Sequence, residues 1–241
     1  MNSKHISLAK RGVAEALGTA LLLATVVGSG IMAQRLSGGN LALALLANAI
    51  ATGAALAALI LTFGSISGAH FNPIVTIAMA MGGEIPRKET VVYIIAQTAG
   101  AMGGTIAAHL MFQLPAISIS HHDRSGGAQM FSEFVATLGL LCVIWGVSRA
   151  RREAVPFAVA SYITAAYWFT SSTSFANPAV TLARAATDTF SGIRPSDVPG
   201  FIGAQIAGGI ASTFLFRWLM PNVLEPVPGP AATSHNQDGG A

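Results

Sequence analysis

Two asparagine–proline pairs are the residues of this 241-residue chain whose type and spacing could do chemistry. Asn72–Pro73 lies in the stretch GAHFNPIVTIA, residues 68–78, and Asn177–Pro178 in its echo SFANPAVTLARA, residues 174–185. Proline is favoured at the first helical position and a preceding asparagine is a strong cap, so each pair predicts a helix with a defined start. The side-chain carbonyl of each Asn can cap its own helix, leaving the amide NH2 to donate to a passing oxygen. A helix start also carries unpaired N–H groups and partial positive charge. Two such ends aimed at one point would repel cations while donating to a neutral solute. Either pair alone would be an ordinary cap; both at matched positions argue for a site.

Other residues invite competing readings. Glu15 and Glu133 are carboxylates in apolar stretches, where a charge costs at least about 2.5–3.5 kcal/mol to insert into a bilayer. They could form a proton relay, or brace irregular backbone by accepting its hydrogen bonds. His70 precedes Asn72 and could line a pore or satisfy loop carbonyls. His121, His122 and Asp123 share a loop without a third ligand at useful spacing, which makes a poor metal site, and no metal or cofactor is expected. Cys142 is the single cysteine, so an intrachain disulfide framework is excluded. Tyr93, Tyr162, Tyr167 and Trp168 suit packing and membrane-interface roles. No nucleophile–base pair is visible, which argues against an enzyme.

The elements that must carry these residues are membrane spans. Apolar residues make up 52% of the chain and charged residues 10%, against about 25% charged in a soluble domain. Six spans are predicted: Gly12–Ala33, Leu41–Phe63, Val91–Phe112, Ala128–Ser148, Val155–Thr170 and Val198–Met220. The two asparagine-headed stretches are too short to cross and read as half-helices. The halves are about residues 11–112 and 128–220, forming one domain over 1–220, and the Pro- and Gly-rich tail, 221–241, is expected to be disordered. A net charge of +3 shows no patch for nucleic acid. Its basic clusters, at the N-terminus, at Arg87 and Lys88, and at Arg149, Arg151 and Arg152, fall on one side of a six-span chain. The positive-inside rule then places both termini in the cytoplasm.

The two halves repeat each other. AEALGT at 14–19 is echoed by SEFVATLG at 132–139, and AQTAGAMGG at 96–104 by AQIAGGIAS at 204–212. Three spans per half invert the second copy, bringing the half-helices in from opposite faces. With these motifs the chain, over about residues 11–220, resembles the major intrinsic proteins, the aquaporin and aquaglyceroporin family. The resemblance implies an all-α inner-membrane channel of six transmembrane helices and two half-helices. It further implies a homotetramer in lipid with one pore per subunit, passing small neutral solutes without cofactor or catalysis. Exclusion of protons by opposed half-helix ends is an established property of aquaporin-type pores. The resemblance also favours the bracing role for Glu15 and Glu133.

The family's motif residues map onto Asn72, Pro73 and Ile74, and onto Asn177, Pro178 and Ala179. Its selectivity filter, carried over by offsets from the two asparagines, falls on Thr52, Ala165, Ser174 and Val180. Here the chain departs from the family pattern. Ile74 replaces the usual alanine, Val180 the usual arginine, and Thr52 the expected aromatic. Four small uncharged side chains predict a wide filter suited to glycerol-sized solutes. Arg184, one helical turn past Val180, could restore a charge, but snorkelling toward the loop is the expected course. Similar arginine-less bacterial channels include ones linked to arsenic resistance, and arsenous acid is neutral and glycerol-like in its hydroxyls. A proton-coupled secondary transporter using Glu15 and Glu133 is the second function class, and a non-conducting membrane protein the third.

Overall fold

A computed structural model of the chain describes residues 6–220. The expected disordered tail lies outside the described residues. Eight α-helices follow in order: α1 Leu8–Leu36, α2 Leu41–Ser67, α3 Pro73–Met81, α4 Arg87–Met111, α5 Gly127–Ala150, α6 Val155–Phe169, α7 Pro178–Arg184 and α8 Val198–Leu219. Helices α1, α2, α4, α5 and α8 are long and apolar enough to cross a membrane. Their exposed surfaces carry large apolar side chains such as Leu43, Ile95, Phe131 and Phe214, as expected where lipid is the solvent. Helix α1 starts four residues earlier than predicted, because Lys10 and Arg11 continue the helix beyond its apolar stretch.

Helix α6 ends one residue before its predicted bound, Thr170, and is short for a span. Its 15 residues rise only about 22 Å, short of about 30 Å of hydrocarbon. A 3-10 turn over Arg152–Ala154 precedes it, and irregular chain from Thr170 to Ala176 follows it. Such backbone is tolerated at membrane depth where protein buries it, and Thr170, Ser172, Ser174 and Ala176 are all buried.

The repeat is visible in the packing. Helix α1 packs on α4 and α2, as α5 packs on α8 and α6, while α2 and α6 join the halves. The half-helices α3 and α7 meet each other, and each also touches the last helix of both halves. Lipid gives helices no hydrophobic reason to associate, so close approach through small residues must do it. A Cβ on Gly100 would overlap the backbone carbonyl of Ala16, and one on Gly208 that of Phe134. These are the same contact in the two halves. Gly104 makes a further one against Ala20.

Gly104→Val should therefore lower stability by more than about 3 kcal/mol, since the obstructing atoms are backbone and cannot swing away. Gly103→Val, whose Cβ meets nothing, serves as the control. Unfolding midpoints of the purified proteins in detergent decide the matter; equal midpoints would sink this account of the α1–α4 contact.

Candidate functional site

Each half-helix begins as its cap predicts. The Oδ1 of Asn72 accepts from the Ile74 N–H at 2.9 Å, and that of Asn177 from Ala179 at 3.0 Å and Val180 at 3.3 Å. Proline follows at the first helical position in both. The amides then cross between the halves: Asn72 Nδ2 donates to Ala176 O at 2.7 Å, and Asn177 Nδ2 to Phe71 O at 2.8 Å. One amide hydrogen of each Asn is thus used to clasp the opposite loop. The other remains for the lumen, half the donors expected from sequence.

The loops feeding the half-helices are strained in matching places. Ala69 and Phe71 have φ of 51° and 48°, and Ser174 and Ala176 have 51° and 47°. Left-handed conformations of this kind cost about 1–3 kcal/mol each at functional sites. Two carboxylates hold them there. Glu15 accepts from Ser67 Oγ, the N–H groups of His70 and Phe71, and Gln97 Nε2, all between 2.6 and 2.9 Å. Glu133 accepts from the N–H groups of Phe175 and Ala176 at 2.8 Å and from Gln205 Nε2 at 2.6 Å. The two glutamines also donate to Thr76 and Thr181, one in each half-helix. Both carboxylates are fully buried and neither lines the central cavity. A proton relay would need contact with the lumen.

That cavity, about 900 Å³, runs from one face of the molecule past both asparagines. Arg11, Glu84, Glu89, Arg152 and Glu153 ring its mouth. Arg11 and Glu89 form a two-pronged ion pair there, at 2.6 and 2.7 Å. Farther in, the lining combines the apolar side chains of Leu22, Leu56, Leu140, Val159 and Ile163 with the polar ones of Asn72 and Asn177. His70 lies on the lining, its Nδ1 3.1 Å from Thr76 Oγ1 and its ring edge-on to Tyr93. Its backbone N–H is given to the Glu15 carboxylate, while its ring faces the cavity and Thr76 in place of a loop carbonyl.

The inner end differs from the expected filter. Thr52, Ser174 and Val180 line the cavity, whereas Ala165 does not and is exposed on the opposite side of α6. The offset from Asn177 crosses the irregular Thr170–Ala176 connection, and two positions along a helix turn the face by about 200°. Tyr167 occupies the place instead, its hydroxyl sharing a 3.2 Å hydrogen bond with Thr52 Oγ1. Tyr167 is therefore a lining residue as well as a packing one.

Arg184 is the second correction. It does not snorkel; it is 2% exposed and faces the cavity. Its Nε donates to Ser191 O, and its guanidinium carbon stands 3.4 Å from the centre of the Phe175 ring. The reason is the chain beyond α7, which folds back so that the Ile193 N–H donates to Arg184 O, closing the route to water. Thus the end of the cavity holds a cation, one turn from where the family pattern puts one. Tyr167 and Phe175 escaped sequence reasoning although both flank the second motif. For Arg124, buried behind Phe175, the sequence carries no signal at all.

The loop between α4 and α5 is held by polar contacts to the chain beyond α7. His121 donates its N–H to Asp188 at 2.9 Å with its ring 3.1 Å from the same carboxylate. These contacts hold Asp188 below the usual carboxylate range, the backbone donor contributing most. Asp123 pairs with Arg194 at 3.2 Å.

Six packed helices, two half-helices meeting end to end and a cavity threading their capping asparagines define a membrane channel with an inverted repeat. The chain belongs to the major intrinsic protein family, whose description matches residues 2–167. It is 55% identical over 217 residues to the aquaglyceroporin AqpS of Rhizobium meliloti (strain 1021), covering 90% of this chain and 93% of that one. It is 30% identical to the probable aquaporin AqpM of Archaeoglobus fulgidus, over 89% and 98% of the two chains. The solved aquaglyceroporin from Plasmodium falciparum shares the fold at a TM-score of 0.72 and 22% identity, over 90% of this chain and 99% of that one. The protein is a passive multi-pass membrane channel for small neutral solutes, not an enzyme.

Proposed function

We propose that the channel conducts glycerol-sized polyols and water, and that arsenous acid is among its solutes. The observation that carries this is the mixed lining of the cavity, which brings apolar Leu56, Val159 and Ile163 together with Asn72 and Asn177. A short polyol can lay its carbons on the first and present its hydroxyls to the second. Arsenous acid offers three hydroxyls and no charge at neutral pH, so the same donors suit it. Similarity to a protein described as an aquaglyceroporin supports the polyol reading.

Thr52, Tyr167, Ser174 and Val180, with Arg184, form the selective end of this route, in which Ser174 Oγ is buried without a protein partner. The asparagines and half-helix ends form the cation barrier. The mouth gathers Arg11 and Arg152 on one face, and Arg87 and Arg149 lie at the helix ends of that same side. This supports an orientation with both termini in the cytoplasm of a cell inner membrane. A homotetramer, with one pore per subunit, is the assembly proposed from the family.

Stopped-flow light scattering of proteoliposomes tests the reading with water, glycerol and arsenous acid in turn. Glycerol and arsenous acid fluxes should exceed those of empty liposomes and should not change when a protonophore is added. Conduction of water alone would overturn the polyol assignment. Protonophore-sensitive solute uptake would revive the transporter.

A further inference from the structure

We infer that Arg124, carried by the long connection between α4 and α5, is a positioning residue that sets the channel's solute selectivity through Phe175 and Arg184. The inference rests on the channel reading of the same cavity. Arg124 is 7% exposed and lies outside the cavity lining. Its Nε donates to Gly192 O at 2.8 Å, and its Nη1 to Ser172 O at 3.1 Å with Thr173 Oγ1 at 3.4 Å. Its own N–H donates to Asp197 at 2.9 Å, anchoring the backbone it comes from. One planar fork therefore buckles two loops together. The first, Ser172–Ala176, presents Phe175 and leads into Asn177; the second, Thr187–Ile193, holds Arg184.

The coupling is direct. Arg124 and Arg184 place their guanidinium carbons 4.9 and 3.4 Å from the centre of one Phe175 ring. They also use neighbouring carbonyls, Arg124 that of Gly192 and Arg184 that of Ser191. Ser191 is itself tied to α1, its Oγ donating to Val26 O at 3.0 Å. Neither guanidinium pairs with a carboxylate among the described residues. Their positions are set by carbonyls and by the ring face, which attracts cations through its quadrupole. Moving Arg124 must move the ring, and the ring bears on Arg184, the cation at the far end of the cavity from the mouth.

A lysine cannot replace this arrangement, because a single ammonium lacks the rigid fork that reaches two loops at once. The test compares the ratio of glycerol to water permeability in proteoliposomes, which is independent of how much channel is reconstituted. Arg184→Met removes bulk and donors from the end of the route and should raise the ratio by about tenfold, the worth of one hydrogen bond to a charged group. Arg124→Lys should move it in the same direction, and the double variant should shift no further than Arg184→Met alone. A ratio unchanged in Arg124→Lys, or effects that multiply in the double variant, would overturn the inference. Should Arg124→Lys give no folded channel, Phe175→Leu cuts the same link: it should reproduce the shift of Arg184→Met, and an unchanged ratio overturns the inference. Wild-type liposomes impermeable to glycerol would instead count against the polyol reading.

Discussion

Glu15→Gln should leave little folded channel. Four donors converge on the Glu15 carboxylate: Ser67 Oγ and the His70 N–H on one oxygen, the Phe71 N–H and Gln97 Nε2 on the other. A glutamine keeps one acceptor oxygen and points an NH2 at the remaining two donors. Donors then face donors in a fully buried site, and the charge that strengthened all four bonds is gone. Each hydrogen bond to a charged group contributes about 1.5–3 kcal/mol, so the loss is on the order of 3–5 kcal/mol. A domain's whole stability is about 5–15 kcal/mol. The loop cannot relax cheaply, because Ala69 and Phe71 are held left-handed by these same bonds. Monodisperse yield and the unfolding midpoint in detergent report the result. A Glu15→Gln channel that folds like the wild type would sink the bracing role. Glu133→Gln, with three donors to lose instead of four, should be somewhat milder.

Sequence reasoning reached the parts of this molecule that depend on backbone periodicity and on repetition. The caps at Asn72 and Asn177 are local chemistry: an asparagine, a proline and three residues of context determine them. Glu15 and Glu133 stood out because a carboxylate in an apolar span demands a partner, and the repeat supplied two instances. What failed were inferences carried across irregular chain. Ala165 is separated from Asn177 by Thr170–Ala176, a stretch without periodicity, so a fixed offset does not carry the helical face across it. Arg184, one helical turn and about 6 Å beyond Val180, points by that offset toward the loop and water, yet whether water is there depends on where Thr187–Ile193 folds. Arg124 acts through partners 48 and 68 residues away, and no local pattern announces such contacts.

Val180→Arg should convert the channel toward water selectivity, lowering glycerol permeability by tenfold or more while retaining part of the water flux. Val180 is 5% exposed on the cavity lining, and its N–H is already committed to the Asn177 cap. The substitution therefore changes the side chain without disturbing the helix start. An arginine there projects a long, permanently charged group with five donors into the route. Arg184 lies four residues on, about 6 Å farther along the axis, and already occupies the side against Phe175. Two cations at that spacing repel by about 1–3 kcal/mol between the dielectric limits of water and a protein surface. The new guanidinium cannot share the Phe175 face and must lean into the lumen. There it narrows the passage between Thr52, Tyr167 and Ser174, which a three-carbon solute needs more than water does. Each tenfold fall in permeability corresponds to about 1.4 kcal/mol of added barrier, well within what bulk and ordered donors supply together. Val180→Leu, which adds volume without charge, separates the two contributions: it should lower glycerol flux by less. The glycerol-to-water ratio in proteoliposomes is the measurement, and a ratio unchanged by Val180→Arg would remove Val180 from the selective end of the pore.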